Sequence, residues 1–139
     1  MKPILIAPCG MNCGICIGYL LRKGAKCPGC LGGNKNKTKS CIACAIKKCP
    51  DYRKNKPRFC FTCKKYPCAR IKHLDKRYRT KYGMSMIENL AVINKLGIRR
   101  FIKKEEKRWA CLKCEGVICV HRWFCVKCGM KKPKKMYLK

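Results

Sequence analysis

The chain has 139 residues, enough for one domain or two very small ones. It carries 36 Lys and Arg against 6 Asp and Glu, a formal charge of +30, together with 16 Cys and 2 His. Six carboxylates argue against an enzyme whose mechanism needs a pair of acidic residues. No apolar run approaches the roughly 18 residues of a membrane-spanning helix. The apolar segment 4–6 is followed at once by Pro8 and Cys9, so we expect no secretion signal and a cytoplasmic location.

The density of cysteine points to metal. In the reducing cytosol, Cys-rich chains usually bind metal ions instead of forming disulfides. A chain this short and this charged also buries a thin core, so bound metal would supply part of its folding free energy. We therefore expect three to four Zn²⁺ ions. Even if all 16 thiols bound four ions as thiolates, the chain would keep a charge of about +22, which a polyanion would neutralise.

Three segments differ in composition. Residues 1–68 form a Cys-rich block with 11 Cys, residues 69–109 contain no Cys, and residues 110–139 hold five Cys and a basic tail. The predicted fold is a small metal-stabilised α+β protein. It has an irregular N-terminal multi-zinc block, central α-helices and a C-terminal β-hairpin of the zinc-ribbon type.

The N-terminal block offers ligands for three tetrahedral sites. Two four-coordinate sites could be built from Cys9, Cys13, Cys16, Cys27, Cys30, Cys41, Cys44 and Cys49, and a third from Cys60, Cys63, Cys68 and His73. The third set copies the intervals of a zinc knuckle, a module that binds single-stranded nucleic acid, with the last Cys and His interchanged. The alternative to a metal-binding role for His73 is a surface position on a helix. Spacing does not decide which cysteines share an ion, and an iron–sulfur cluster, also held by four thiolates, is the less favoured alternative.

The middle segment is predicted to be helical. Ile71, Leu74, Tyr78 and Tyr82 recur on one helix face, and Gly83 suits the C-terminal stop. A capping-box pattern from Ser85 to Glu88 opens a second helix, which Gly97 ends, and a third helix is expected at about 98–108. Basic residues occupy the remaining faces of these helices. The alternative to a partner-binding role for them is an ordinary solvated helix surface.

The C-terminal segment has zinc-ribbon spacing. The pairs Cys111 with Cys114 and Cys125 with Cys128 are separated by ten residues. Two CxxC turns, the second delivered by a β-hairpin, close a tetrahedral site. Cys119 and His121 would lie on the same strand face. For these two residues we favour a buried thiol and a hydrogen-bonded histidine over a second metal pair or an exchange of ligands with Cys125.

The charge favours RNA as the partner, because phosphates attract Lys and Arg and release counterions on binding. Unpaired bases stack on aromatic rings that lie between basic residues, and Phe61, Tyr66 and Trp123 are the candidates here. The candidate cations lie in basic loops, on the first predicted helix and near the C-terminus: Lys35, Lys37, Lys39, Arg53, Lys54, Lys56, Arg58, Arg70, Lys72, Lys76, Arg77, Arg79, Lys81, Arg122, Lys131, Lys132, Lys134 and Lys135.

These patterns predict a non-catalytic zinc-binding protein that contacts rRNA as a ribosomal or ribosome-associated protein. RNA is favoured over DNA because no recognition helix with base-reading side chains stands out. No membrane partner and no small-molecule substrate are expected. The alternatives are an iron–sulfur or thiol-redox protein and a zinc-dependent adaptor that binds an acidic protein.

Several motifs also resemble a known family. They are Cys9-Gly-Met-Asn-Cys13-Gly-Ile-Cys16, Cys27-Pro-Gly-Cys30, Phe59-Cys60-x2-Cys63-x2-Tyr66-Pro67-Cys68, the run from Leu74 to Tyr82, Ile87-Glu88-Asn89-Leu90 and Trp109-x-Cys111-x2-Cys114-Glu115-Gly116-Val117-Ile118-Cys119-Val120-His121. Together they resemble a prokaryotic Cys-rich family catalogued as a domain of unknown function with presumed zinc binding. The resemblance covers nearly the whole chain and implies metal binding but no activity. Glu115 stands where a Gly is usual in a CxxCGG turn.

Overall fold

The computed structural model describes residues 1–21 and 24–133, and helices are its main element. The helices are α1 (Ile17–Leu20), α2 (Lys39–Ile42), α3 (Pro50–Asn55), α4 (Ala69–Tyr82), α5 (Met86–Leu96) and α6 (Ile98–Arg108). Short 3₁₀ turns lie at Pro3–Leu5, Cys13–Ile15 and Cys60–Thr62. The Cys-rich block is thus built from turns and short helices, and long helices begin only after it. Within the described ranges, no helix has the length and apolar character needed to span a bilayer.

The three central helices predicted from the sequence are confirmed. Gly83 ends α4 in the left-handed region, at φ 63°, where a residue without a Cβ is least strained. The Ser85 hydroxyl accepts a hydrogen bond from the Glu88 amide at 3.1 Å and so caps α5, as the capping pattern predicts. Gly97, at φ 82°, is the single residue between α5 and α6, and α5 packs against both α4 and α6.

A buried carboxylate joins α4 to the start of α5. Asp75 is only 5% exposed. Its Oδ1 accepts hydrogen bonds from the Ser85 hydroxyl at 2.6 Å and from the Ile87 amide at 3.0 Å. Its Oδ2 lies 2.9 Å from Nε of Arg79, one turn further along α4. A charge this deeply buried needs such partners, and here they fix the angle between two helices.

All three segments of the chain contribute to one hydrophobic core. Ile15 from the N-terminal block, Leu90 and Phe101 from the central helices, and Ile118 from the C-terminal segment are all buried in it. Trp109, which follows α6, is also buried there. The Cys-rich segments are therefore packed directly against the helices.

A second buried carboxylate strengthens this junction. Glu105 Oε2 accepts hydrogen bonds from Asn12 Nδ2 and from Trp109 Nε1, both at 3.0 Å. Burial raises the pKa of Glu105, and these hydrogen bonds oppose that rise. Asn12 also accepts from the Gly14 amide at 2.9 Å. The first Cys-rich motif is thereby tied to α6 and to the residue that leads into the C-terminal segment.

The predicted C-terminal β-hairpin is not present. In the part of the chain that the structure describes, strand pairing is limited to isolated antiparallel bridges, such as Ala110 with Val117 and Ile118 with Cys125. Within the predicted strands, Trp123 at φ 54° interrupts the extended backbone, because left-handed residues do not continue a strand. The molecule is therefore mainly helical, and the α+β expectation is confirmed only in its helical part.

Candidate metal centre and basic surface

Four cysteines near the C-terminus form a closed cluster. The sulfurs of Cys111, Cys114, Cys125 and Cys128 all lie within 4.8 Å of one another. The Sγ atoms of Cys111 and Cys128 are 3.6 Å apart, and those of Cys114 and Cys125 are 3.5 Å apart. Zn–S bonds of about 2.3 Å in a tetrahedron place sulfurs roughly 3.8 Å apart. The cluster could therefore hold a metal ion such as zinc, on the four residues that the CxxC spacing predicts.

Two backbone turns aim these sulfurs inward. The Glu115 amide donates to the Cys111 carbonyl and the Gly129 amide to the Cys125 carbonyl, each at 2.9 Å. Backbone amides also point at the sulfurs: Gly116 N lies 3.4 Å from Cys114 Sγ, and Lys127 N lies 3.4 Å from Cys125 Sγ. N–H groups that donate to sulfur favour the thiolate, which is the form that binds metal.

The pKa values of the cluster thiols are shifted in opposite directions. Burial opposes the loss of a proton from Cys125, but backbone amides and neighbouring thiols outweigh burial and lower its pKa to about 7. The Gly116 amide favours the thiolate of Cys114, but burial and the other thiols outweigh it and raise the pKa of Cys114 to about 12. A bound metal ion would have to displace the proton of Cys114, because metal ligands must be deprotonated.

Gly116 allows the two turns to approach each other closely. A Cβ at this position would lie 2.8 Å from Cys125 Sγ and from Lys127 Cβ, and 3.2 Å from Cys114 Sγ. Contacts under 3 Å require a neighbour to move. The absence of a side chain at Gly116 is thus part of the site geometry.

Cys119 and His121 lie outside the cluster. Cys119 is fully buried, and burial raises its pKa. Nδ1 of His121 accepts from the Ile17 amide at 3.3 Å, and its Nε2 lies 3.2 Å from the Tyr78 hydroxyl. Both ring nitrogens are therefore engaged within the protein, which agrees with the favoured interpretation of a buried thiol and a hydrogen-bonded histidine.

The N-terminal cysteines line two further cavities. A cavity of about 500 Å³ is lined by Cys49, Cys60, Cys63 and Cys68. A second, of about 460 Å³, is lined by Cys9, Cys13, Cys16, Cys27, Cys30, Cys41, Cys44 and His73. Spacing grouped Cys49 with the earlier cysteines and His73 with Cys60, Cys63 and Cys68. The structure instead places Cys49 in the cavity of Cys60 and His73 in the other cavity. Among the described residues, only the C-terminal cluster has all its ligand atoms within 4.8 Å.

Most of the candidate RNA-binding cations are exposed. This group comprises Lys35, Lys39, Arg53, Lys54, Lys56, Arg70, Lys72, Lys76, Arg77, Lys81, Arg122 and Lys131. Arg58 and Arg79 are exposed as well, but the Arg58 guanidinium donates to the Ile6 and Pro3 carbonyls at 2.9 Å, and Arg79 pairs with Asp75. Lys134 and Lys135 lie outside the described residues.

Burial corrects two candidate contacts and limits the access to a third. Lys37 is only 8% exposed and donates to the Gly32 carbonyl at 2.7 Å, so it is part of the interior. Trp123 is only 9% exposed, and its ring centre lies 5.6 Å from that of Trp109, so core packing replaces the predicted base stacking. Lys132 is half-buried and donates to the Arg108 carbonyl at 3.4 Å.

The two remaining aromatic candidates are partly accessible. Phe61 and Tyr66 are half-buried. One face of the Phe61 ring stacks on Phe59, with ring centres 5.5 Å apart and an interplanar angle of 16°. A base could therefore stack only on the other face of Phe61.

Helix α6 carries exposed cations that were not among the predicted RNA contacts. Its buried residues are Phe101, Ile102 and Glu105. Its exposed cations are Arg99, Arg100, Lys103, Lys104 and Lys107. Their spacing of one, three and four residues places them on the face opposite the core, a signal that was already present in the sequence.

The few carboxylates do little to neutralise this surface. Asp75 and Glu105 are buried. In the described residues, the basic side chains that pair with carboxylates are Lys65, Arg79 and Arg108, and the N-terminal amine pairs with Glu106. The positive charge of α4 and α6 is therefore left largely uncompensated.

Comparison of the chain with family models, with curated proteins and with solved structures gave no match. The C-terminal cluster agrees with a Cys-rich metal-binding domain. It does not by itself assign the chain to the family that the motifs resemble.

Proposed function

We propose that the protein is a non-catalytic, zinc-stabilised RNA-binding protein of the cytoplasm that contacts rRNA as a component or associate of the ribosome. Three to four zinc ions would hold its shape. The observation that carries the proposal is the row of exposed cations on α4 and α6, on a scaffold that ends in a four-thiolate cluster.

The helices suit a phosphate backbone as a partner. Helix α4 has 14 residues and so extends over roughly 20 Å. Five of its exposed cations lack a carboxylate partner among the described residues: Arg70, Lys72, Lys76, Arg77 and Lys81. Cations spread along a rigid element can contact successive phosphates and release their counterions. Helix α6, which also packs against α5, carries exposed cations of its own.

The metal cluster supports a structural role. A site with four thiolates has no open coordination position, and such sites stabilise folds, whereas catalytic zinc keeps a position for water or substrate. Two of the six carboxylates are buried at helix junctions, where they serve packing. These features favour a binding protein over an enzyme.

The choice of rRNA rests on the distribution of the charge. Exposed cations occur in loops, on two helices and beside the metal cluster, and the sequence shows no recognition helix with base-reading side chains. Dispersed basicity with half-buried aromatics such as Tyr66 suits a folded RNA that offers phosphates and unpaired bases together. The step to the ribosome is an analogy with small basic ribosomal proteins.

The test is the salt dependence of binding to a structured rRNA fragment. We expect log affinity to fall linearly with log salt. The double variant Arg77→Ala/Lys81→Ala should weaken binding and reduce the slope by about two. The control Lys2→Ala/Lys95→Ala removes the same charge from exposed positions elsewhere and should leave the slope nearly unchanged. A slope near zero for the wild-type protein would refute RNA binding.

A native lysate gradient tests the ribosomal part. Co-migration with ribosomal subunits, released by nuclease, is the expected result. A partner that survives nuclease treatment would support the protein adaptor instead. A brown colour on anaerobic purification would support the iron–sulfur alternative.

A further inference from the structure

The cavity lined by Cys49, Cys60, Cys63 and Cys68 is large enough for a small ligand. Its volume is about 500 Å³, and ligand pockets in proteins measure roughly 300–1,000 Å³. Its walls come from α3, from the 3₁₀ turn at Cys60–Thr62 and from the first turn of α4. A metal ion on these cysteines would take less space than one water molecule, whose share of liquid volume is about 30 Å³. An ion alone therefore does not account for a cavity of this size.

Apolar and aromatic side chains form part of the wall. Ile46 and Ile71 line the cavity and are buried. Tyr52 and Tyr66 also line it, and both are half-buried, so the core does not enclose either ring. Nucleobases stack on aromatic rings of this kind. A flat heterocycle is therefore a suitable occupant.

Helix α3 supplies two polar groups to the same cavity. Asp51 and Asn55 both line it. They are four residues apart on α3, and positions i and i+4 lie on one face of a helix. Nζ of Lys65 lies 3.2 Å from Oδ2 of Asp51, which ties the segment before α4 to α3. A carboxylate has two oxygens that each accept hydrogen bonds, so Asp51 can accept from a ligand while it pairs with Lys65.

Positive charge surrounds this carboxylate. Lys64, Lys65 and Arg70 line the cavity and are exposed. Among the described lining residues, Asp51 is the one acidic side chain, so three positive charges face a single negative charge. A ligand that combines a flat ring, N–H donors and phosphate groups matches the tyrosines, the carboxylate and the cations together. Nucleotides have this combination.

We propose that the cavity binds one unpaired guanine of an RNA loop. The inference rests on the RNA-binding part of the proposed function and names the feature of the RNA that the protein recognises. Guanine is the RNA base whose Watson–Crick edge has two neighbouring N–H donors, at N1 and N2, and the Asp51 carboxylate accepts both. The side-chain amide of Asn55 donates to the neighbouring O6 of the base. The rings of Tyr52 and Tyr66 stack on the base.

The other three bases match these groups less well. Adenine has an acceptor at N1, so two acceptors would face each other at Asp51, and it has an amino group in place of O6. Cytosine and uracil have smaller rings, and each offers a single N–H group to the carboxylate. Lys64 and Arg70 contact the phosphates on either side of the base, which adds affinity without a preference among bases.

The experiment measures the preference of the full, zinc-loaded chain among RNA hairpins that differ at one loop position. Each hairpin has a short loop of uridines with a single guanosine, inosine or adenosine, and affinity is measured by fluorescence anisotropy at a fixed salt concentration. We expect the guanosine hairpin to bind roughly tenfold or more tightly than the adenosine hairpin, as hydrogen bonds to a charged group imply. Inosine, which keeps N1–H and O6 but lacks the N2 amine, should lie between them.

The variant Asp51→Asn separates the base contact from the effect of charge. The ratio of the guanosine to the adenosine affinity should approach one, while the adenosine affinity should stay the same or rise, because a negative charge has been removed. The control Glu88→Gln removes the same charge from an exposed position on α5 and should keep the full preference. Asn55→Ala, at another exposed position, should also reduce the preference, and it provides the test if Asp51→Asn alters the circular dichroism.

The outcomes distinguish this inference from the proposed function. If the wild-type chain binds the guanosine and adenosine hairpins equally, with an affinity that still falls with salt, this inference is wrong and RNA binding stands. If no hairpin binds with a salt-dependent affinity, RNA binding fails and this inference fails with it. Guanosine monophosphate should compete far more weakly than the hairpin, because it lacks the flanking phosphates. An equal affinity for the mononucleotide would overturn the assignment to an RNA loop.

Discussion

Replacing Asp75 with alanine should destabilise the protein far more than replacing its cationic partner. The carboxylate is buried, and Oδ1 accepts hydrogen bonds from the Ser85 hydroxyl and the Ile87 amide. Hydrogen bonds to charged groups contribute roughly 1.5–3 kcal/mol each. Asp75→Ala removes both and leaves the Ile87 amide at the start of α5 without this acceptor. We expect a loss of about 3–5 kcal/mol in the free energy of unfolding.

Two matched variants separate the contributions of Asp75. The Arg79 side chain is 53% exposed, so water screens the ion pair, and Arg79→Ala should cost only about 1 kcal/mol. Asp75→Asn keeps an oxygen that can accept from both donors but loses the charge, so its cost should be intermediate. The loss of stability should therefore be largest for Asp75→Ala, intermediate for Asp75→Asn and smallest for Arg79→Ala.

The assay is urea-induced unfolding followed by circular dichroism at a fixed concentration of free zinc. Zinc content is measured for every variant, so that loss of metal is not counted as loss of the helix junction. If Asp75→Ala lies within about 1 kcal/mol of Arg79→Ala, the two hydrogen bonds to Oδ1 do not hold α4 against α5, and the reasoning fails.

Three further perturbations test the metal cluster and its surroundings. Glu115→Gly should raise the melting temperature slightly, because glycine relieves a left-handed residue at φ 61° while increasing the entropy of the unfolded chain; a lower melting temperature contradicts this. Gly116→Ala should lower zinc affinity about tenfold or more in competition with a chromophoric chelator, since overpacking costs about 1–3 kcal/mol, while Gly33→Ala, whose Cβ meets nothing within 4 Å, should leave it unchanged. Burial, assisted by Arg122, holds the pKa of His121 below its ordinary value; because the unfolded chain then binds the proton more readily, stability is lost as pH falls below about 6.5. His121→Asn should lose less stability than the wild type on acidification, as measured by unfolding at matched zinc content, and an equal loss would contradict that assignment.

The central helices could be predicted from the sequence because their signals are local. Ser85 and Glu88 are three residues apart, and the cap they form involves no other part of the chain. Gly83 and Gly97 end their helices for the same kind of reason, since the backbone angles there favour a residue without a Cβ. The four ligands of the C-terminal cluster were also predictable, because each CxxC turn brings its own pair together.

The grouping of the N-terminal cysteines could not be predicted in this way. Cys49 lines the cavity of the Cys60 set, and His73 lines the other cavity. Both placements depend on how short turns fold back on α4, and intervals along the chain contain no information about that. The zinc-knuckle set assumes that His73 shares an ion with the three cysteines before it, but His73 lines the other cavity.

Burial explains the other wrong expectations. Lys37 belongs to a run of basic residues that suggests a solvated loop, yet its ammonium group is held by backbone carbonyls beside the cysteines. Trp123 follows Arg122 and suggests an exposed ring, yet it packs on Trp109. In a chain with a thin core, a large aromatic ring stabilises the fold more by burial than it could by remaining accessible. The β-hairpin failed for a local reason: Trp123 takes a left-handed backbone conformation at φ 54°, and pairing around it is limited to isolated bridges.

The distribution of charge links the metal sites to the proposed partner. Two of the six carboxylates, Asp75 and Glu105, are buried, so few carboxylates remain to neutralise the helix surfaces. The proposed thiolate–metal sites would add negative charge as well, but mostly inside the molecule and near buried cations such as Lys37. The exposed cations of α4 and α6 therefore repel one another in the isolated protein. An external polyanion relieves that repulsion without competing for the metal, because the thiolates and the surface cations are separate groups of residues. Metal binding and RNA binding are thus expected to stabilise the fold through different charges, and each can be measured while the other is held constant.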